Sequence, residues 1–501
     1  MTIQPKITAS VLYDYLQCAH RPWRDIYGPK EELVEADNAF LKLLWERGVQ
    51  HEQDVISGLG TFLDLSGGSL DERKLRTLKA LERRTPLIYQ GVLQSEDLLG
   101  IPDLLELQGD GSYMPVDIKS GSAYEGADPD TKKFKKHYAV QLCLYSDLIS
   151  KLGFGNSRKG KIIDIHGEME EYDLDQPQGK RNTATWWSLY QELKSKILPL
   201  LLNQEKNKPA LGGVCKLCNW HDSCLKWLKA TKDPTNLFYL GRSVRDTLER
   251  DLGVSRLEDL LNLDEADILS RKKADRGFLK GVGESSLTKY INRARISVVT
   301  KKPEVQGSYQ FPEVGYELFF DIEDDPTLGF VYMHGVYERT NAGEKYLHFT
   351  ATEKSEEAER VAWKRFWDYI KSLPEKDFAV YYYSHHEKTT YRKMQAIYPD
   401  VISEDEVSAF FGNQNVIDLY QVVQSQTEWP LSSYSIKAIA TYLGFKWRDE
   451  SPSGALSIQW FNEYLKTRDD SILKRILEYN EDDCKATMVL KDGLENLFKV
   501  N

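Results

Sequence analysis

The stretch GIPDLLELQGDGSYMPVDIK, residues 100–119, predicts two strands joined by a glycine turn at Gly109–Gly111. Asp103 precedes the apolar run of the first strand, and Asp117 and Lys119 lie two residues apart on the second. Because side chains at positions i and i+2 of a strand point to the same face, Asp117 and Lys119 project together, within reach of Asp103 on the neighbouring strand. Two carboxylates placed in this way form a hard oxygen site for Mg²⁺ or Mn²⁺.

A helix is predicted to follow these strands, over residues 138–152. Gln141 and Tyr145 lie four residues apart in it, so they share one helical face. Beside a metal-bound phosphate both side chains can reach the scissile group, while Lys119 can orient the attacking water or offset the charge that develops on phosphorus. The set therefore predicts metal-dependent chemistry on a phosphodiester.

The three fragments together, G-x-x-D, D-x-K and Q-x-x-x-Y in this order, resemble the RecB-type branch of the PD-(D/E)xK nucleases. A lone D-x-K is common on surface strands, so the resemblance rests on the complete set. Upstream, the stretch GVQHE at residues 48–52 matches the histidine motif of that branch. The resemblance covers residues 7–230 and implies that His51 is a further metal ligand.

Three cysteines, Cys215, Cys218 and Cys224, follow a C-x2-C-x5-C spacing, and Cys18 lies far upstream in YDYLQCAHRPW. This layout resembles RecB-like nucleases with one N-terminal and three C-terminal cysteines, and implies that the four thiolates hold a [4Fe–4S] cluster joining the ends of the domain. Two alternatives stay open. The cysteines can hold a structural zinc ion, with His221 replacing one of them, or they can be uncoordinated thiols.

A second α/β pattern occupies the C-terminal part of the chain. YELFFDIED (316–324), GFVYMHGVYE (329–338) and KYLHFTAT (345–352) predict three strands, followed by a helix, the strand FAVYYYS (378–384) and a helix through Met394. This order is typical of an RNase H-like core. The predicted first helix presents one apolar face, formed by Ala362, Phe366, Trp367 and Ile370.

Acidic side chains recur at positions that this fold brings together. Asp321 and Glu323 share one face of the first strand, and Tyr479 and Asp483 share one face of a helix near the C-terminus. The pattern resembles the DEDD 3′–5′ exonucleases whose third motif is Y-x-x-x-D, and more widely the YprB-type RNase H-like nuclease domain. The resemblance implies that four carboxylates hold two metal ions and that the tyrosine positions the attacking water.

The second motif departs from the DEDD pattern. Where the family has an aspartate, this chain has YSHHE, residues 383–387, which makes Glu387 the candidate ligand. Asp418 is another candidate, although a capping or structural role suits it better. An inactive domain that is retained for binding nucleic acid is therefore an alternative to an active exonuclease.

The middle of the chain is predicted to form short helices. FLKGVGESSLTKYINRARI, residues 278–296, predicts a helix, a tight turn at Gly281–Gly283 and a second helix. Such a helix-hairpin-helix-like turn can offer backbone N–H groups to a phosphate, and the alternative is a helical linker with a glycine stop.

Two short basic runs are candidate nucleic-acid contacts, although most such runs are solvated faces. The candidate binding set is the first run, which consists of Lys132, Lys133, Lys135 and Lys136. The second run lies in the middle segment and consists of Arg271, Lys272, Lys273 and Arg276.

The composition of the whole chain limits the classes of protein to which it can belong. The 501 residues are 41% hydrophobic with a net charge of −11, which predicts an ordinary folded protein and excludes a simple basic coat protein for nucleic acid. No apolar run is long enough to span a membrane, and the start MTIQPKITAS lacks a signal segment, so we expect a cytoplasmic protein.

The predicted architecture is a multidomain α/β protein. We expect a RecB-like nuclease domain with an iron–sulfur cluster over residues 1–232, a helix-hairpin-helix-like domain over 233–304 and an RNase H-like exonuclease domain over 305–501. The combination resembles a bacterial family of RecB-like nucleases that are also found fused to helicases. It implies a Mg²⁺- or Mn²⁺-dependent nuclease that acts on DNA ends or flaps rather than RNA, with a helicase as a partner.

Two other functions remain open. One is a nucleic-acid-binding adaptor with one or both nuclease sites inactive, which the complete carboxylate sets argue against. The other is an RNA-processing 3′–5′ exonuclease, because the contacts to the 2′-hydroxyl that separate RNA from DNA cannot be located in the sequence.

Overall fold

The computed structural model describes residues 4–34, 39–125, 133–179 and 182–500. It divides into two compact units, residues 1–227 and 228–501, each of which has its own hydrophobic cores. About half of the chain is helical. The predicted division into three domains stays a prediction.

A six-stranded mixed sheet forms the centre of the first unit, in the order β1-β2-β5-β6-β9-β10. The short strand pairs β3–β4, β7–β8 and β11–β12 lie outside it. The helices and strands that begin in this unit are α1 (Ala9–Gln17), α2 (Arg21–Tyr27), α3 (Ala39–Gly58), β1 (Leu63–Asp64), α4 (Leu70–Glu82), β2 (Leu87–Tyr89), β3 (Leu93–Ser95), β4 (Leu98–Gly100), β5 (Leu104–Leu107), β6 (Tyr113–Ile118), β7 (Tyr124–Glu125), β8 (Lys133–Phe134), α5 (Lys136–Lys151), β9 (Lys159–Ile163), β10 (Met169–Asp173), β11 (Pro177–Gly179), β12 (Asn182–Thr185), α6 (Trp186–Leu201) and α7 (His221–Thr231).

The predicted strand pair that carries the first acidic residues is present. β5 and β6 run antiparallel with Leu104 opposite Val116, and the turn between them contains Gly111 in the left-handed region at φ +83°. A glycine adopts that conformation at little steric cost, because it has no Cβ. The helix predicted at 183–202 begins later, at Trp186, because Thr185 caps it and the preceding residues pair as β12.

α5 is the central helix of the first unit. Most of its residues are buried, including Leu142 and Leu148, and it packs against β6 and β9 of the sheet and against α1 and α6. A helix that is covered on nearly all sides is apolar around most of its circumference, which explains the long apolar run in the sequence. Its packing fixes where Gln141 and Tyr145 lie.

A five-stranded sheet forms the centre of the second unit, in the order β16-β15-β14-β17-β18. β14, β17 and β18 are parallel, and β15 and β16 are antiparallel to their neighbours. The helices and strands are α8 (Arg242–Leu252), α9 (Glu265–Ala274), α10 (Glu284–Arg295), β13 (Glu304–Val305), β14 (Tyr316–Asp325), β15 (Phe330–Thr340), β16 (Gly343–Thr350), α11 (Glu356–Ser372), β17 (Phe378–Tyr382), α12 (His386–Ile397), α13 (Glu404–Gly412), β18 (Val416–Asp418), α14 (Leu419–Gln426), β19 (Thr427–Glu428), α15 (Ile436–Tyr442), α16 (Gly454–Thr467) and α17 (Asp470–Val500).

The order of elements predicted for this unit is confirmed. Three strands, α11, β17 and α12 follow one another as expected, and the predicted apolar face of α11 is buried against the sheet. The burial of large aromatic side chains such as Phe366 and Trp367 supplies much of the hydrophobic stabilisation of this core.

The helical segment after residue 240 differs from its prediction at one point. α9 ends at Ala274, so Phe278–Lys280 lies in a turn rather than in a helix. Gly281 has φ +87°, and Gly283 is the N-cap residue of α10. No helix among the described residues combines the length and apolar character needed to cross a membrane.

Candidate metal centres

Asp103 and Asp117 lie side by side in the first unit. Asp103 directly precedes β5, and its Oδ2 accepts a hydrogen bond of 2.8 Å from the backbone N–H of Ile118 on β6. Its own backbone nitrogen lies 3.4 Å from Oδ1 of Asp117. Burial and the nearby charge of Asp117 raise the pKa of Asp103 well above its ordinary value. Two carboxylates that repel each other in this way favour a shared proton or cation.

Lys119 projects to the same site, as the alternation along β6 predicts. Its Nζ lies 2.5 Å from Oδ2 of Asp117 and 5.6 Å from the centre of the Tyr138 ring. Burial lowers the pKa of Lys119, but the charges of Asp117 and Asp103 outweigh burial and raise the pKa overall. The ammonium group is therefore charged and held beside the two acids.

Gln141 and Tyr145 meet on the face of α5, as predicted. Gln141 Nε2 donates a hydrogen bond of 2.8 Å to the Tyr145 hydroxyl, which donates to the carbonyl of Ile101, two residues before Asp103. Burial and the charge of Asp117 raise the pKa of Tyr145 well above its ordinary value. Both side chains thus border the acidic pair.

His51 and its neighbour Glu52 lie on α3, which packs against β6. The Nε2 atom of His51 is buried and has no hydrogen-bond partner within the described part of the chain. A buried imidazole nitrogen without a partner carries a desolvation cost that a metal ion would offset, so His51 fits a ligand role.

Sequence reasoning missed Glu52 and Gln90. Gln90 Nε2 donates to Asp103 Oδ1 at 2.9 Å and to Glu52 Oε1 at 3.1 Å, which joins the two carboxylates. The position of Glu52 directly after His51 was a usable signal. Gln90 has no motif around it, and only the fold places its amide between the two acids.

Asp321, Glu323 and Asp483 form the second centre. One ligand atom from each lies within 4.8 Å of the others, and no other group of three or more such residues is this close among the described residues. The ligands of one Mg²⁺ ion at about 2.1 Å lie about 3 to 4 Å apart, so small side-chain movements suffice to bind an ion. β14 places Asp321 and Glu323 on one face, and α17 places Asp483 opposite them.

The charge of this group is only partly balanced. Burial and the neighbouring carboxylates raise the pKa of Asp321 well above its ordinary value, and raise that of Glu323 to about 8. The ammonium group of Lys437 opposes this effect. Clustered carboxyl groups whose pKa values are raised by burial and by one another are expected of a cation site.

Tyr479 and Asp483 meet on one face of α17, as predicted. The hydroxyl of Tyr479 accepts a hydrogen bond of 3.0 Å from Lys437 Nζ, and Trp447 Nε1 donates one of 2.7 Å to Asp483 Oδ1. Burial, followed by the charge of Glu323, raises the pKa of Tyr479. The tyrosine is therefore a neutral phenol beside the carboxylates.

Asn480 is a further site residue that sequence reasoning missed. Its Nδ2 donates to Asp321 Oδ2 at 2.9 Å, and its Oδ1 accepts from the Tyr346 hydroxyl at 2.8 Å. Its place between Tyr479 and Asp483 was a signal, but the Y-x-x-x-D pattern assigns no role to the residue after the tyrosine.

Glu387 lies outside the close group. It is only 3% exposed, in the first turn of α12, and its Oε2 has no hydrogen-bond partner among the described residues. Burial, followed by the charge of Asp418, raises its pKa well above the ordinary value. The Glu387 charge also raises the pKa of Asp321, so the two carboxylates are near each other.

Asp418 has a structural role. Its Oδ1 accepts hydrogen bonds from the backbone N–H groups of Ser384 and Tyr420, at 3.0 and 2.9 Å, and caps α14. A carboxylate that is used in this way is less free to bind an ion than Glu387.

The four predicted cluster cysteines, Cys18, Cys215, Cys218 and Cys224, line one cavity of about 330 Å³, together with His221. Burial raises the pKa of Cys224 to about 11. The sulfur ligands of one zinc ion at about 2.3 Å would lie about 3.8 Å apart, and these side chains do not form a group that close among the described residues.

The described lysines of the first basic run lie at and just before the start of α5. Lys133 lies on β8, Lys135 precedes α5 and Lys136 begins it, whereas Lys132 lies outside the described residues. Lys135 Nζ lies 5.2 Å from the centre of the same Tyr138 ring that Lys119 contacts, so Lys135 borders the first centre.

Comparison with known proteins supports this two-part arrangement. The sequence model of the PD-(D/E)XK nuclease superfamily matches residues 14–225, and that of the RNase H superfamily matches residues 318–495. Searches of curated proteins and of solved structures found no match. Both superfamilies contain nucleases, which indicates a hydrolase that acts on nucleic acid. The chain thus joins a PD-(D/E)XK nuclease domain to an RNase H superfamily domain in one polypeptide.

Proposed function

We propose that this protein is a Mg²⁺- or Mn²⁺-dependent nuclease with two active sites, which acts on single-stranded ends or flaps of DNA. The observation that carries the proposal is the close approach of Asp321, Glu323 and Asp483, whose ligand atoms lie within 4.8 Å of one another. Acidic side chains that are held close together despite their mutual repulsion are typical of sites for metal-dependent phosphoryl transfer.

In the RNase H-like domain the carboxylates of Asp321, Glu323 and Asp483 would hold divalent ions, with Glu387 as a further ligand. Such ions, when bound, polarise the phosphate and lower the pKa of a bound water. Tyr479 would orient that water through its hydroxyl, which Lys437 holds in place. Asn480 would keep Asp321 in its ligating conformation.

In the PD-(D/E)XK domain Asp103, Asp117 and His51 would hold the ion. Lys119 would orient the attacking water or offset charge on the phosphate, because its ammonium group lies beside Asp117. Gln141 and Tyr145 would contact the scissile group from α5. Lys133, Lys135, Lys136 and the Gly281–Gly283 turn would contact the backbone without reading bases.

We propose that the four cysteines hold a [4Fe–4S] cluster. Each iron of such a cluster takes one thiolate, so the four sulfur atoms need to surround a cavity rather than meet at one point. The cysteines line a cavity, and this arrangement suits a four-iron cluster better than a single zinc ion. Anaerobically purified protein is expected to be brown, and a colourless preparation with stoichiometric zinc would contradict the assignment.

A second candidate function follows from the position of Glu387 outside the close group. The RNase H-like domain would then bind nucleic acid without cutting it, and cleavage would come from the first centre alone. A helicase partner and a cytoplasmic location accord with either function.

The test is digestion of 5′- and 3′-labelled single- and double-stranded DNA and RNA with Mg²⁺ or Mn²⁺, using wild-type protein, Lys119→Ala and Asp321→Asn. We expect each substitution to remove a distinct cleavage activity. If Asp321→Asn leaves digestion of 3′-ended substrates unchanged, the second centre is not catalytic. If RNA is cleaved and DNA is not, the substrate assignment is wrong.

A further inference from the structure

A tyrosine pair lies on the same edge of the second sheet as the carboxylates. The parallel strands β14, β17 and β18 end at this edge; β14 carries Asp321 and Glu323 near its end, and β18 leads directly into Tyr420. Tyr420 in turn contacts Tyr239, which belongs to the segment before α8. We call Tyr239 and Tyr420 the tyrosine ledge.

Hydrogen bonds and short stretches of chain connect the ledge to the metal centre. His386 Nε2 lies 3.1 Å from Oδ1 of Asp324, the residue after Glu323. Ser384 lies two residues before His386, and its backbone N–H donates a hydrogen bond to Asp418. Tyr420 lies two residues after Asp418 in the sequence. The path crosses two strand spacings, roughly 10 Å, which is about three nucleotides at the spacing of about 3.4 Å along one strand of a helix.

Tyr239 is unusual in both exposure and backbone conformation. Its side chain is 65% exposed, and its φ of +62° lies in the left-handed region. A bulky residue in that region is strained and persists only where surrounding contacts hold it, and such strain is concentrated at functional sites.

Two contacts hold the exposed ring of Tyr239 in place, and a third holds its backbone. The Tyr239 hydroxyl lies 3.3 Å from the Tyr420 hydroxyl and 3.4 Å from Gln424 Nε2, and the Tyr239 carbonyl accepts from the Tyr290 hydroxyl at 3.2 Å. The Tyr420 ring packs edge-on against Tyr383 at 5.4 Å. The ledge is therefore an ordered aromatic surface whose Tyr239 ring is open to solvent, and it loses little conformational entropy when a flat ligand stacks on it.

An unpaired nucleobase is the ligand that this surface suits. The protein has a net charge of −11 and a cluster of acids at the site, so attraction to phosphates is weak there. Stacking of a base on an aromatic ring does not depend on that attraction and tolerates any sequence. Bases inside a duplex are already stacked and present no free face, which selects a single strand.

We infer that the tyrosine ledge stacks unpaired bases of a single strand whose end lies at Asp321, Glu323 and Asp483. The inference rests on the proposed function of the RNase H-like domain and adds a binding site for unpaired bases a few nucleotides from the scissile bond. Exposed Lys393 lies on α12, the helix that begins at His386, and offers a cation for the backbone beside the path.

The test is the affinity of full-length protein for fluorescent oligo-dT and oligo-rU, measured by anisotropy with Ca²⁺ in place of Mg²⁺. We expect Tyr239→Ala and Tyr239→Asn to weaken binding about tenfold, and Tyr239→Phe to weaken it less, because the ring still stacks but loses the hydroxyl contacts that hold it. Asn tolerates the left-handed region, so this variant keeps the backbone folded. Comparison of the two oligonucleotides shows whether the ledge prefers DNA or RNA.

The matched control is Tyr442→Ala, which removes a tyrosine that is 40% exposed at the end of α15. We expect it to leave the affinity unchanged. Equal affinities of wild type, Tyr239→Ala and Tyr239→Asn, or an equal loss for blunt duplex DNA, would overturn the inference while cleavage by wild type still supports the nuclease. Absence of both binding and cleavage in wild type would instead reject the proposed function.

Discussion

Asp321, Glu323 and Asp483 show at the scale of single residues why the second centre is a cation site. Glu323 and Asp483 are buried beside Asp321, and burial there favours a carboxyl group that is protonated or opposed by a positive charge. Lys437 supplies one positive charge close by. The raised pKa values of these acids favour protons on the other carboxyl groups, and a divalent ion would displace such protons.

This exchange predicts how stability depends on pH. The pKa of Glu323 in the folded protein, about 8, lies above its ordinary value of 4.5, so the folded state holds a proton that the unfolded chain releases. The stability that this proton contributes is complete below about pH 4.5 and is lost as the pH rises through about 8. We expect the melting temperature of metal-free protein to fall by at least about 3 °C between about pH 5 and pH 9.

Scanning calorimetry with and without Mn²⁺ checks this dependence. Added Mn²⁺ is expected to raise the melting temperature more at about pH 9 than at about pH 5, because the ion competes with fewer protons. Glu323→Gln removes the titrating group and is expected to reduce the fall. If the melting temperatures of metal-free wild type and metal-free Glu323→Gln both rise with pH, this account is wrong.

Lys119 leads to a prediction about the first centre. Lys119→Met keeps most of the apolar stem but removes the ammonium group beside Asp117, so we expect cleavage by this centre to fall about 100-fold or more. Single-turnover rates on labelled DNA measure the effect in the background of Asp321→Asn. Lys119→Arg keeps a charge and is the matched control. Equal rates for wild type and Lys119→Met would exclude Lys119 from the reaction.

Gly335 on β15 contributes to the second centre although it belongs to no catalytic motif. It lies on β15 directly opposite Asp321, and a Cβ built on it would lie 1.6 Å from Oδ1 of Asn480. The missing side chain is therefore what lets Asn480 reach across β15 to Asp321.

Gly335→Ala is expected to displace Asn480 and to lower both the melting temperature and the Mn²⁺ affinity of the second centre. Overpacking of this kind costs about 1–3 kcal/mol. Titration calorimetry with Mn²⁺ and thermal melting measure the two effects. Gly454→Ala, at the start of α16 where a Cβ would meet nothing within 4 Å, is the control. An unchanged Mn²⁺ affinity in Gly335→Ala would show that Asn480 does not position the ligands.

The elements that follow a regular period were predictable from the sequence. Strand alternation placed Asp117 beside Lys119 and Asp321 beside Glu323, and helical spacing placed Gln141 beside Tyr145. Contacts between distant segments were not predictable in this way. Gln90 and Lys437 reach the sites only because loops and helices with no shared pattern pack together.

Local competition also limited the prediction of element ends. Residues 278–280 suggested a helix by composition, but the left-handed Gly281 and the capped start of α10 make this stretch a turn. Turn chemistry prevailed over helical propensity there because one glycine conformation fixes the direction of the chain.

The whole molecule consists of two units with separate cores, which predicts that they fold independently. Clusters around Leu142 and around Phe366 belong to different units, and each unit contains one complete candidate centre. We therefore propose to express residues 1–231 and 221–501 as two fragments that share α7, since the boundary between units falls inside this helix.

Each fragment is expected to unfold in one cooperative transition, because its own core is intact. Cleavage that Lys119→Met abolishes should reside in the first fragment, and cleavage that Asp321→Asn abolishes should reside in the second. Thermal melting and digestion of end-labelled DNA measure both properties, with an equimolar mixture of the fragments as the control. If only the mixture cleaves, or if neither fragment melts cooperatively, each centre needs the other unit. The proposal of two nuclease sites that work independently is then wrong.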